Sequence, residues 1–232
     1  MTAIELKEEL LPYPENDLEE WIKSEPHMIR TILPKKLSSI KESLEDRKKH
    51  GSRYFAEANV ARMWEPNVTN GWYGSYSWLG SSRWSKEDFR PSGEQWQKKH
   101  KKEFHNALKS FITLEVIREL QEVAAALSKK IHMKVRKGPD LFFITKDGRL
   151  EFVEAKHEDT VKDHQIASLA LLKRCLNASV RIVRVYPVDL TATAVDQGNF
   201  VKVNDYTDKF AEYYRALNYC IGNKTGISQK FV

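Results

Sequence analysis

No apolar run in this chain approaches the ~20 residues that a membrane-spanning helix needs, and none sits near the start. The opening MTAIELKEEL lacks the basic start and apolar stretch of a secretion signal. Cysteine is nearly absent: Cys175 and Cys220 are the only two among 232 residues. That excludes a disulfide framework and suits a reducing, intracellular compartment, cytoplasmic or nuclear. Cys175 lies in an apolar helical run and reads as core. Also missing are a P-loop, a paired CxxC and an HExxH helix. The Gly-x-Ser segments among the aromatics have no nucleophile-elbow context. There is no internal repeat and no low-complexity tract.

What is present is a folded, water-facing composition, 41% apolar and 30% charged. The length suits one elaborated domain or a domain with a small appendage. The net charge of +6 is uneven. Residues 1–30 hold eight acidic against three basic groups, so the remainder carries 35 basic against 24 acidic, a net +11. A basic body favours a polyanionic partner. The acidic start is a candidate surface for a protein partner, or a cover for the body's own basic groove.

Punctuation and periodicity predict an α/β chain. Residues 4–10 and 15–23 read as short helices separated by Pro12 and Pro14, and 39–49 as a charged helix ended by Gly51. Together they form an expected helical N-terminal extension over 1–50. A helix is expected over 52–64. Residues 66–100 read as an aromatic-rich insertion, a loop or twisted hairpin with a turn at Asn70-Gly71. Residues 95–130 have a three- and four-residue apolar repeat, and 131–135 alternate as a strand would. Leu141 to Ile144 and Leu150 to Val153 read as two strands joined by a turn at Lys146-Asp147-Gly148-Arg149. A helix over 163–176, a strand over 180–188 closed by Pro187, and a helix over 205–218 complete a mixed sheet flanked by helices.

The chemistry concentrates in Gly138-Pro139-Asp140-Leu141 and Phe152-Val153-Glu154-Ala155-Lys156. A hairpin of this length brings Asp140, at the head of one strand, to Glu154 and Lys156, at the end of the next. Residues two apart on a strand share a face. Two adjacent carboxylates stay ionised only with compensating positive charge. A divalent cation such as Mg²⁺ supplies it, with the Ala155 carbonyl as a further ligand. Lys156 then holds an attacking water or offsets charge on a phosphate.

This stretch resembles the PD-(D/E)xK nuclease superfamily and is most similar to its VRR-NUC branch, over about residues 115–188. Gly138-Pro139-Asp140-Leu141 lacks one residue of that branch's Gly-x-Pro-Asp-Leu; Val153-Glu154-Ala155-Lys156 matches, and Gln165 falls where the branch has a Gln on the next helix. The resemblance implies a restriction-endonuclease-like core over 51–232, Mg²⁺- or Mn²⁺-dependent hydrolysis of DNA phosphodiesters, and a metal site from Asp140 and Glu154 supported by Gln165. It also implies an acid from an earlier helix. Glu57, flanked by Ala56 and Ala58, is the first choice, with Glu115 and Glu119 as alternatives. The competing reading is a nuclease-fold module that binds DNA for a partner without cutting.

Candidate DNA contacts are Lys134, Arg136 and Lys137 before Asp140, and His157 and His164 flanking the site. His100 and His105, among Lys98, Lys99, Lys101 and Lys102, are open between a DNA-tracking cluster and a solvated helix end. Trp72, Tyr73, Tyr76, Trp78 and Trp84 are open between base stacking and an accessory core, with Arg83 and Arg90 nearby. A homodimer is a further possibility for the assembly.

Overall fold

The computed structural model describes residues 5–23, 37–45, 52–188 and 203–222. Five strands form one mixed sheet: β1 (Glu8–Pro14), β2 (Val68–Tyr73), β3 (Leu141–Thr145), β4 (Leu150–Lys156) and β5 (Ser179–Val188). Their order across the sheet is β1-β5-β4-β3-β2. β3 runs antiparallel to its neighbours β2 and β4, whereas β5 is parallel to both β4 and β1. Seven helices accompany them among the described residues: α1 (Glu15–Lys23), α2 (Ser38–Glu45), α3 (Phe55–Trp64), α4 (Gln95–Phe111), α5 (Leu114–Lys130), α6 (Asp163–Leu176) and α7 (Thr207–Gly222). None is long and apolar enough to cross a membrane.

β3 is buried on both faces, and this is why it reads as a continuous apolar run rather than an alternating one. β4 is also buried on both faces, although it carries Glu151, Glu154 and Lys156. Phe142 stacks on Phe152 and meets Phe104 of α4 edge-on, while its neighbour Phe143 turns the other way and stacks on Trp64 of α3. The sheet is therefore sandwiched, with α4 on one side and α3 on the other. α6 packs along β5, with α5 and α7 behind it.

Several sequence expectations change. The segment read as a helix over 4–10 is edge strand β1, an integral part of the sheet and not a helical extension. Prolines are tolerated there because an edge strand need not donate every N–H. Pro187 lies inside β5 rather than closing it. The β4 ladder stops at the Lys156–Arg184 pair, so the missing proline donor costs no hydrogen bond on that side. Asn70-Gly71 is in β2, so residues 68–73 belong to the common sheet and not to an insertion. The 95–130 repeat is two helices, broken where the Thr113 side chain accepts from Val116 N at 3.2 Å as an N-cap. Residues 131–135 form no strand: His132 takes a left-handed backbone (φ 52°) and Ser128 Oγ accepts from Val135 N. The expected end of the 39–49 helix lies outside the described residues.

The aromatics resolve as core. Trp78 is fully buried against Phe104 and Phe152, and Tyr76, Trp84 and Phe89 close the same cluster. His105 belongs to it too, stacked on Phe89 with Nε2 at 2.9 Å from the Trp84 carbonyl. This cluster fits tightly against the irregular segment that leads into Asp140. A Cβ at Gly138 would stand 2.0 Å from Trp78 Nε1 and 3.0 Å from the Gly74 carbonyl oxygen. Gly138→Ala is expected to destabilise by about 1–3 kcal/mol through overpacking. An unchanged urea midpoint would show that this contact is slack.

Candidate active site

The hairpin does what its length implies. Asp140 enters β3, and its Oδ2 accepts from Ala155 N at 3.3 Å, so it stands against the end of β4. Its carboxyl group meets that of Glu154 and also takes a hydrogen bond from Ser75. Glu154 and Lys156 share a face of β4, both almost fully buried, with Lys156 Nζ 3.1 Å from Glu154 Oε1. The ammonium also reaches Asp159 Oδ2 at 2.9 Å.

Gln165 locks this arrangement to the first turn of α6. Its Oε1 accepts from Lys162 N at 2.8 Å, capping the helix, and its Nε2 donates to Glu154 Oε1. Ser168, one turn on, donates to the Lys137 carbonyl at 3.0 Å and holds the approach to Asp140. On the far side, Arg184 of β5 donates to the carbonyls of His157 and Asp159, fixing the loop that carries the second partner of Lys156. His157 Nε2 lies 2.8 Å from the Tyr13 hydroxyl, and its ring sits against Phe55.

Glu57, half-buried on α3, joins the group electrostatically. Burial first, and then the charge of Asp140, pushes its carboxyl up to about 8. Burial also raises Asp140, and burial together with Asp140 raises Glu154 well above the ordinary carboxylate range. Burial disfavours the Lys156 ammonium, but Glu154, Asp140 and Asp159 outweigh it and hold the lysine charged. Glu57, Asp140 and Glu154, with the more exposed Asp159, thus share the one ammonium of Lys156, a deficit that protons or a further cation must cover.

The donor set fits a small hard cation: carboxylate oxygens from two strands and one helix, with one bound lysine. The fit is not a closed cage. Among the described residues, the group whose ligand atoms all lie within 4.8 Å of one another is Glu42, His100 and Glu103, not the Asp140 group. Asp140 and Glu154 are in contact, and Glu57 is set back from them. Of the alternative acids, Glu115 is exposed on α5 and Glu119 on the same helix influences Cys175, and neither is among the groups that chiefly shift Asp140, Glu154 or Lys156.

The basic candidates divide. Lys137 is exposed beside Asp140 and lines a cavity of about 390 Å³ with Arg53, Arg83, Lys101 and Ser75. Lys134 and Arg136 instead line a separate cavity with Arg118 and Glu122. His164 is half-buried near Lys137 and Lys156; burial, then the charge of Lys162, holds its pKa below the ordinary histidine value. Arg90 pairs loosely with Asp88 on the surface. In the lysine-rich stretch of α4, His100 and His105 point inward while Lys98, Lys99 and Lys102 are exposed.

Sequence reasoning missed Ser75, Arg53 and the role of Asp159. Asp159 stands three residues after Lys156, within reach of its ammonium, but nothing in its spacing separates it from a solvated loop acid. Ser75 and Arg53 are brought in by long-range packing alone. No family model, no curated protein and no solved structure matches this chain, so its functional reading rests on the site itself.

Proposed function

We propose that this protein is a metal-dependent nuclease that hydrolyses DNA phosphodiester bonds, an endonuclease of structure-selective or restriction-like type. The observation that carries the reading is the meeting of Asp140, Glu154 and Lys156 at one end of a hairpin, beside a cation-lined cavity. Arg53, Arg83 and Lys137 turn toward that cavity with no carboxylate partner among the described residues; Arg83, for example, donates only to the hydroxyls of Ser81 and Ser92. Unneutralised cations beside buried acids suit a substrate that is itself an anion. The resemblance to PD-(D/E)xK nucleases of the VRR-NUC branch adds support. So does the order of an acid-bearing helix, the hairpin, a helix with Gln165 and a closing strand. Two buried cysteines, Cys175 and Cys220, suit a reducing compartment.

Asp140 and Glu154, with Glu57 and the Ala155 carbonyl, would hold Mg²⁺ or Mn²⁺. Such an ion, when bound, lowers the pKa of a water and offsets charge on the phosphate. Lys156 orients the attacking water from a position fixed by Glu154 and Asp159, and stabilises charge that develops on the phosphoryl oxygens. Gln165 keeps the Glu154 carboxylate in register. Lys137 and His164 face the incoming strand, and Arg53 and Arg83 hold phosphates further along it. In the reaction, the water oxygen bonds to phosphorus, the phosphorus bond to one bridging oxygen breaks, and that oxygen leaves as a hydroxyl.

Supercoiled plasmid tests this directly. With Mn²⁺ it is expected to become nicked or linear, and with EDTA to stay intact. Glu57→Gln should slow the conversion at least ~10-fold, whereas Glu119→Gln should not. DNA binding without any cutting in Mg²⁺ or Mn²⁺ would overturn the nuclease reading in favour of a module that holds DNA for a partner.

A further inference from the structure

We propose that Glu42, His100 and Glu103 form a second, separate site for a divalent transition-metal ion of the zinc type, one that pins α2 onto α4. A ring nitrogen of His100 and one carboxylate oxygen each from Glu42 and Glu103 lie within 4.8 Å of one another, and no other such trio exists among the described residues. The site shares no residue with the Asp140 group and does not depend on the nuclease reading.

Its construction is specific. His100 and Glu103 are three residues apart on α4, so their side chains lie on one face of the helix. Glu42 arrives from α2, whose Ile40 and Leu44 are fully buried. His100 itself is only 3% exposed, although Lys98, Lys99 and Lys102 near it point to solvent. His100 Nδ1 stands 3.7 Å from Glu103 Oε2, beyond hydrogen-bonding reach. Two ligands bound at ~2.0–2.1 Å to one tetrahedral ion stand roughly 3.4 Å apart, so a small closing movement completes the shell. Glu42 and Glu103 are half-buried, which leaves an entry path and a position for water.

The ligand chemistry distinguishes this site from the hairpin. Imidazole with two carboxylates favours zinc, cobalt, nickel or copper, whereas an all-oxygen set favours magnesium or manganese. The competing occupant is Lys99, whose Nζ lies 2.6 Å from Glu42 Oε2. Both side chains of that pair are about half exposed, so water and salt screen it and the lysine can withdraw to solvent.

Co²⁺ is the probe, added to Asp140→Asn so that the hairpin acids are disabled. One equivalent is expected to bind with visible ligand-field absorption, to be displaced by Zn²⁺, and Zn²⁺ is expected to raise Tm by several degrees. Glu42→Gln and Glu103→Gln keep side-chain shape and are each expected to weaken Co²⁺ binding at least ~10-fold. His100→Ala should abolish binding, but it deletes a buried ring, so the Gln variants decide. No absorption in Asp140→Asn would overturn the proposal. So would Co²⁺ binding of undiminished affinity in the Glu42→Gln/Glu103→Gln double variant.

Discussion

Asp140→Asn is expected to lower the rate of DNA cleavage on the order of 10³-fold or more, with the fold and DNA binding retained. Asn keeps the shape of the side chain and its contact with Ala155 N, but it removes one of the charges that would hold the cation. The stability readout makes this variant informative. Burial raises the Asp140 pKa, so the folded protein holds a proton there that the unfolded chain gives up. Above the unfolded value of 3.8, this group therefore costs stability, increasingly so until pH passes its folded pKa. Without metal at pH 7, the Asn variant should melt at or above the wild-type temperature. Lys156→Ala should also stop cleavage, yet it leaves Glu154, Asp140 and Asp159 without their shared cation and should melt lower. Cleavage at the wild-type rate by both variants would remove the hairpin from the mechanism.

Glu8→Gln is expected to destabilise the protein by about 3–5 kcal/mol, the usual cost of breaking one side of a buried ion pair. For a chain of this size, that is a fall in Tm of roughly 6–20 °C. The Glu8 carboxylate is fully buried and receives Arg184 in a two-pronged grip, Nη2 at 2.7 Å and Nε at 3.1 Å. Asn204 Nδ2 and the Tyr206 hydroxyl donate to the same carboxylate. Burial alone would raise the Glu8 pKa, but the bonds from Arg184 and Asn204 outweigh it and hold the value below 4.5. The stabilisation is therefore complete above pH 4.5 and is lost as pH falls through the depressed folded value. The gap between wild type and variant should accordingly narrow in acid. Arg184 also secures the His157 and Asp159 carbonyls, so the same variant should loosen the loop beside Lys156. A melting temperature within 1 °C of wild type would show that β1 is not held in this way.

Glu8 also marks where the sequence misleads. An acid at that position looks solvent-facing, and the charge-rich opening passes for a helix. Arg184, 176 residues away, together with Asn204 and Tyr206, makes burial of the carboxylate possible and turns the segment into a sheet edge. Glu9 does the same more openly with Arg181, so part of the acidic N-terminal charge is committed within the fold. Glu25 lies outside the described residues. Asn70-Gly71 misleads for a related reason. It looks like a hairpin turn, but Gly71 lies beside Phe143 and Ile40, where an added Cβ would come within 2.9 Å of both. By contrast, the β3–β4 hairpin and α6 were legible almost residue by residue, because their signals are local: an apolar run, an Asp-Gly turn, a 3.6-residue repeat. The candidate site was legible to the same extent. Asp140, Glu154, Lys156 and Gln165 are ordered by local geometry and do come together. Glu57 is the first choice among the helical acids from its Ala56 and Ala58 flanks, and the packing of α3 against the sheet places it within electrostatic reach of Asp140.

Calorimetric titration of Mn²⁺ into wild type, Asp140→Asn and Glu103→Gln at pH 7, in buffers of different ionisation enthalpy, tests the central claim most directly. The Glu57 carboxyl is pushed up to about 8 and that of Glu154 well above the ordinary range, so filling the site must displace protons. The expected result is Mn²⁺ binding with proton release in wild type and Glu103→Gln, and its loss in Asp140→Asn. Binding that survives Asp140→Asn undiminished, or no Mn²⁺ binding in wild type, would contradict a metal site at Asp140 and Glu154.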